Sequence, residues 1–120
     1  MTATIPCTQG KSVIVDEADF EQLRQYKWCA TLNSRRWPPG LYREKWYARA
    51  RIKGVQVYLH RMIWELEHGE RIPPGRVVDH IDGDGLNNQR GNLRLLTTRE
   101  NMEAQYVKYG LYQKPEEIEL

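Results

Sequence analysis

Apolar and polar side chains alternate along residues 46–53. Trp46, Ala48, Ala50 and Ile52 fall on one side, and Tyr47, Arg49, Arg51 and Lys53 on the other. A period of two predicts a β-strand with one buried face. Lys53-Gly54 predicts a two-residue hairpin turn, because glycine tolerates positive φ. The returning strand then sets Val55 against Ile52 and Val57 against Ala50 on the buried face. Gln56 meets Arg51 and Tyr58 meets Arg49 on the exposed face. Over residues 58–69 the period changes. Leu59, Met62, Ile63 and Leu66 form the i, i+3, i+4, i+7 stripe of a helix, and Gly69 is its natural stop.

The same reading gives a short strand at SVIV (12–15) and a short helix in DEADFEQLRQY. Asp16 is its expected N-cap, with Phe20 and Leu23 on one face. WCATLN (28–33) reads as a strand, and SRRWPPGLYRE (34–44) as a loop marked by Pro38-Pro39-Gly40. After a linker turn at ERIPPGR (70–76) come a strand at VVDHI, a long polar loop, a strand at NLRLLT, and a helix at TTRENMEAQYV. Thr97 and Glu100 are spaced for a capping box. The expected fold is α+β. A small antiparallel N-terminal sheet with short helices is followed by a C-terminal ββα unit. The expected division is 1–69, 70–110, and a polar, poorly ordered tail at 111–120.

The chain has 120 residues, enough for one domain with a modest core. No apolar run approaches the ~20 residues that cross a membrane. The first residues lack an apolar signal core, so an intracellular, cytoplasmic protein is expected. Cys7 and Cys29 form no C-x-x-C pair. That argues against structural zinc and against a disulfide framework, and leaves two reduced, partly buried thiols.

The net charge of +2 is unevenly spread: −1 over residues 1–30, +6 over 31–76 and −3 over 77–120. The central block is the signature of a polyanion partner. Arg49, Arg51, Lys53 and Tyr58 on the hairpin face, with Arg35, Arg36, Arg43 and Lys45 beside it, are the candidate contacts. A solvated sheet surface is the bland alternative. So many cationic and aromatic residues on one ribbon favour a nucleic-acid face.

Residues 77–101, VVDHIDGDGLNNQRGNLRLLTTREN, hold more Asp, His and Asn than a turn requires. If the hairpin and helix fold together, Asp79, His80, Asn92 and Asn101 can meet. Strand neighbours point to opposite faces, so Asp79 and His80 share a site only if the strand ends or kinks there. Asp79 and Asn101 offer hard oxygen ligands for a single Mg2+ or Mn2+. His80 can take a proton from water, and Asn92 can hold either the loop or the imidazole. Asp82, Asp84, Asn87 and Asn88 read more simply as Asx-turn residues. A calcium loop starting at Asp82 fails, because its bidentate acidic position would be Leu93.

The segment resembles the HNH nuclease motif, also called the ββα-metal or His-Me finger. It is most similar to phage and bacterial proteins related to homing endonucleases of group I introns. The residues carrying the resemblance are Asp79-His80, Asn87-Asn88, Asn92-Leu93-Arg94 and Asn101. Upstream, IPCTQGKSVIVDEADFEQLRQYKWCA and WYARARIKGVQVYLHRMIW are similar to the N-terminal half commonly joined to this motif. In relatives that half is likened to the DNA-binding sheet of plant ethylene-response transcription factors. The resemblance covers about 100 of 120 residues.

It implies a single-metal DNA endonuclease. His80 would be the base, Asp79 and Asn101 the metal ligands, and Asn92 the orienting residue. Asn101 in place of histidine favours Mg2+ or Mn2+ over zinc. His60 is expected to be packed or hydrogen-bonded rather than a second base, and His68 to lie on the surface near the helix end. One site per chain implies nicking by a monomer, and a double-strand break would need a homodimer or two events. The alternative from another class is a DNA-binding module without cleavage.

Overall fold

The computed structural model describes residues 1–35 and 43–108, with eight strands and three α-helices among them. The fold is α+β, as the sequence predicts. Arg36, much of the 34–44 loop and the 111–120 tail lie outside the described residues.

Strand β1 (Thr2–Pro6) pairs antiparallel with β2 (Ser12–Asp16). Helix α1 (Glu17–Leu23) follows directly. Asp16 has the extended backbone of an N-cap, but its side chain does not cap α1. Its carboxylate instead accepts a hydrogen bond from the Arg90 N–H at 3.0 Å. Leu23 is fully buried, and its carbonyl accepts the indole N–H of buried Trp28 at 2.8 Å.

The second sheet runs β3 (Cys29–Arg35), β4 (Arg43–Ile52), β5 (Val55–Tyr58). The register is the one alternation predicts: Arg49 opposite Tyr58, Ala50 opposite Val57, Arg51 opposite Gln56 and Ile52 opposite Val55. Lys53 (φ 50°) and Gly54 (φ 79°) make the turn, both in the left-handed region that a tight hairpin needs. Burial fails only at the tip, where Val55 is exposed while Ala48 and Ala50 are buried.

Helix α2 (Leu59–His68) ends at Gly69, whose φ of 68° gives the left-handed cap. Leu59 and Ile63 are fully buried, as the stripe predicts. Leu66 is exposed, and His60 and Trp64 turn inward in its place. His68 lies at the surface, stacked on Trp64 with centroids 4.2 Å apart.

The C-terminal unit is β6 (Arg76–His80), β8 (Leu93–Thr97) and α3 (Thr98–Lys108). The capping box is reciprocal. Glu100 N–H donates to Thr97 Oγ1 at 3.0 Å, and Thr97 N–H donates to Glu100 Oε1 at 2.8 Å. The loop between the strands contributes β7 (Asn87–Asn88), which pairs in parallel with β2. The first sheet is therefore mixed, and its third strand comes from the finger.

Gly85 sits where this loop crosses β4. A Cβ there would lie 1.9 Å from the Trp46 carbonyl oxygen, a backbone atom with nowhere to retreat. At Gly91 nothing lies within 4 Å. Overpacking of this kind costs about 1–3 kcal/mol or more. We expect Gly85→Ala to lower the urea midpoint clearly and Gly91→Ala to leave it nearly unchanged. Equal midpoints would contradict the packing.

Candidate active site

Strand β6 pairs on one side with β8, and a cleft of about 420 Å3 opens along it. Val78 and Asp79 both line the cleft, as does Asn101 from α3. Tyr47 and Tyr58 of the second sheet form another part of its wall, with Lys45 beside them. Asp79 and Asn101, which the sequence paired, thus line the same cleft.

Asp79 is 5% exposed. Its Oδ2 accepts from Arg94 Nε at 2.9 Å, and its Oδ1 from Gln105 Nε2 at a longer 3.5 Å. Arg94 neutralises one oxygen, and the lightly held Oδ1 keeps acceptor capacity. Among the described residues no three His, Cys, Asp or Glu side chains group to enclose a metal ion. A carboxylate and an amide oxygen on one cleft fit a hard ion that completes its shell with water and phosphate oxygens. They do not fit a thiolate-imidazole zinc site.

The ladder holds through the strand end. Asp79 stands opposite Arg94, and the next residue, His80, stands opposite Leu93. His80 is 1% exposed and does not itself line the cleft. It touches the cleft wall from behind, with ring centroids 4.9 Å from His60 and 6.1 Å from Tyr47. Gly83, at φ 81°, turns the chain just afterwards, its N–H donating to the His80 carbonyl at 2.9 Å.

His80 Nε2 lies 2.9 Å from Asn88 Oδ1, while Asn88 Nδ2 donates to the Gly85 carbonyl. An amide oxygen only accepts, so Nε2 carries the proton and Nδ1 holds the lone pair. Nδ1 is buried and makes no hydrogen bond among the described residues. Burial, then the Lys45 charge, push the imidazole down to about 4, although Asn88, Asp79 and Asp82 pull it upward. His60 is pushed to about 3, chiefly by burial and then by His80, Lys45 and Arg61. Both rings are neutral at neutral pH.

Of the two roles open to Asn92, the structure shows the loop. Its Oδ1 accepts the Asp82 N–H, and its Nδ2 donates to Asp82 Oδ1 and to the Asn87 carbonyl. The imidazole is held by Asn88, which the sequence reading left in a turn. The Asn87-Asn88 pair was the available signal, and only β7 pairing tells its members apart. Asp82 and Asp84 do form Asx turns, accepting the N–H groups of Asp84 and Leu86. Burial disfavours the Asp82 carboxylate, yet hydrogen bonds from Asn87, the Asp84 N–H and Asn92 hold its carboxyl below the ordinary range.

Lys45, Tyr47, Arg49 and Arg51 share one face of β4, with Tyr58 beside Arg49 on β5. Lys45 and Tyr58 reach the cleft, Arg51 is exposed and Lys53 stands at the hairpin tip. Arg35 and Arg43 face each other in the β3–β4 ladder, and their side chains lie outside the description, as Arg36 does entirely.

Residues 57–103 match the family model described as HNH endonuclease. Residues 57–103 belong to the HNH endonuclease family. The HNH segment spans the end of β5, α2, the finger strands and the start of α3. The chain is 48% identical over 42 residues to "Protein 3.8" of Escherichia phage T7, covering 35% of this chain and 34% of that protein. It is 46% identical over 46 residues to "Uncharacterized HNH endonuclease L560" of Acanthamoeba polyphaga mimivirus, covering 38% and 25%. It is 43% identical over 60 residues to "SPbeta prophage-derived putative HNH homing endonuclease YosQ" of Bacillus subtilis (strain 168), covering 49% and 34%. The chain thus spans about a third or less of the length of these relatives. No solved structure matches at the level these relatives reach.

His60 and His80 stay neutral in the fold down to about 3 and about 4, while unfolded histidines bind protons below about 6.5. Stability contributed by these sites is complete above 6.5 and declines as pH falls below it. In EDTA, the urea midpoint should drop between pH 6.5 and 5, and His60→Phe should flatten that slope. A slope unchanged by the substitution would count against the buried, neutral ring.

Proposed function

We propose that this chain is a divalent-metal-dependent HNH endonuclease that hydrolyses DNA phosphodiester bonds, of the homing type, and that it nicks as a monomer. The observation that carries the reading is the Asn88–His80 hydrogen bond, which leaves Nδ1 as an unprotonated base behind the Asp79 cleft wall. The phage relative, and the relative with homing in its name, support a cytoplasmic setting in a bacterial cell or phage-infected host. Among the described residues no helix is long and apolar enough to cross a membrane.

A Mg2+ or Mn2+ ion held by Asp79 and Asn101 would supply Lewis-acid stabilisation of charge on the phosphate and leaving oxygens. His80 Nδ1 would accept the proton of the attacking water, which has to pass the wall that covers the ring in this structure. The water oxygen bonds to phosphorus, the bond to the leaving sugar oxygen breaks, and that oxygen takes a proton from solvent water to end as a hydroxyl. Asp79 and Asp82 favour the imidazolium that forms. Arg94 keeps the Asp79 carboxylate oriented. Asn92 fixes the loop whose other asparagine, Asn88, sets the tautomer. Lys45 and Tyr58 on the cleft, with Arg49 and Arg51 further along the same sheet face, hold the phosphate backbone.

Supercoiled plasmid with Mg2+ or Mn2+ tests this directly. Open-circle product should form with the ion and vanish in EDTA. His80→Ala should slow nicking by about 10²- to 10⁴-fold, and Asn88→Ala by a smaller factor. Metal-independent cutting, or cutting unaffected by His80→Ala, would sink the mechanism. Salt-sensitive DNA binding without cleavage would instead make the chain a binding module.

A further inference from the structure

His60 is the residue this mechanism leaves unused. Its ring is 9% exposed, yet it lines the cleft. Aromatic rings surround it: His80 at 4.9 Å, Tyr47 at 5.6 Å and Tyr58 at 5.7 Å between centroids. Neither ring nitrogen has a hydrogen-bond partner among the described residues. Phenylalanine would make the same ring contacts but would offer the cleft no polar edge, whereas the His60 nitrogens, unlike His80 Nδ1, are not wholly buried orphans. A neutral imidazole offers one N–H donor and one acceptor. The cleft that His60 lines is also lined by the cations Lys45 and Arg61. Asp79 and Asn101 line the same cleft. Two cations and a spare N–H donor describe a seat for a phosphate anion.

We propose that His60 is a substrate-contacting residue, which donates its N–H to a non-bridging oxygen of the phosphodiester seated in the cleft. The contact rests on the endonuclease reading of the same cleft. It extends that reading by placing the phosphate within a ring's width of the base, since His60 and His80 touch. The three surrounding rings fix the donor's direction, so little ordering is required when substrate arrives.

His60→Phe keeps the ring and removes the donor. Turnover of plasmid and of the small diester bis(p-nitrophenyl) phosphate should both fall by about 10- to 100-fold, the range for a hydrogen bond to a charged group. The loss should appear in KM as well as in kcat, as a contact to the seated phosphate requires, with the neutral-pH unfolding midpoint kept. His60→Gln, which restores a donor, should recover part of the loss. Turnover within two-fold of wild type overturns the contact. So does a loss on plasmid with none on the small diester, because a phosphate contact must act on both. If the wild type hydrolyses neither substrate, the endonuclease reading fails on its own. The contact is then decided by binding of a labelled DNA duplex in EDTA: weaker binding by His60→Phe supports it, and equal affinity overturns it.

Discussion

Two residues of parallel pairing organise this molecule. Ile14 faces Asn87 and Val15 faces Asn88, and the Ile14 N–H donates to the Leu86 carbonyl at 2.8 Å. The pairing draws the finger loop into the N-terminal sheet and leaves Asn88 fully buried. A buried amide must satisfy its polar atoms locally, and Asn88 does so with His80 and the Gly85 carbonyl. The tautomer of His80 thus depends on a strand more than sixty residues upstream. Arg90 reinforces the junction, its guanidinium forked onto buried Asp19 at 2.6 and 3.0 Å and its N–H on Asp16. Asp19, above all by hydrogen bonding, raises the Arg90 pKa, so this clamp stays charged.

The cleft sits where two opposed charge regimes meet. The basic central block contributes Lys45 and Arg61, and the acidic last third contributes Asp79. Arg94 beside Asp79 moderates the local negative charge. Lys45 helps keep both buried rings neutral. In the proposed mechanism an unprotonated base and a phosphate-attracting surface would be served by the same cation.

The elements were legible wherever a local rule acts alone. The period-two stretch at 46–53, the Lys53-Gly54 turn, the capping box at Thr97 and the Gly69 stop all stand as the residues imply. What escaped depends on contacts distant in sequence. Asp16 looks like an N-cap because its neighbours are helical, and only Arg90 explains why its carboxylate turns away. Asn88 looks like a turn residue, and β1 carries too weak a pattern to stand out. His60 displaces Leu66 from the inner face because the second sheet supplies Tyr47 and Tyr58 to receive an aromatic ring. The Asp79–Asn101 cleft could be named from chemistry, but its wall of Tyr47, Tyr58 and His60 could not.

The crossing at Gly85 bears on how such proteins diversify. The stretch shared with the HNH family begins at residue 57, whereas the loop it contains is seated against Trp46 and threaded beside β2. A recombination event that joined this finger to a foreign N-terminal half would also have to import a matching berth: an unpaired sheet edge, a carbonyl at the right height and an acidic clamp for Arg90. Shuffling within this lineage should therefore preserve β2 and α1 together with the finger.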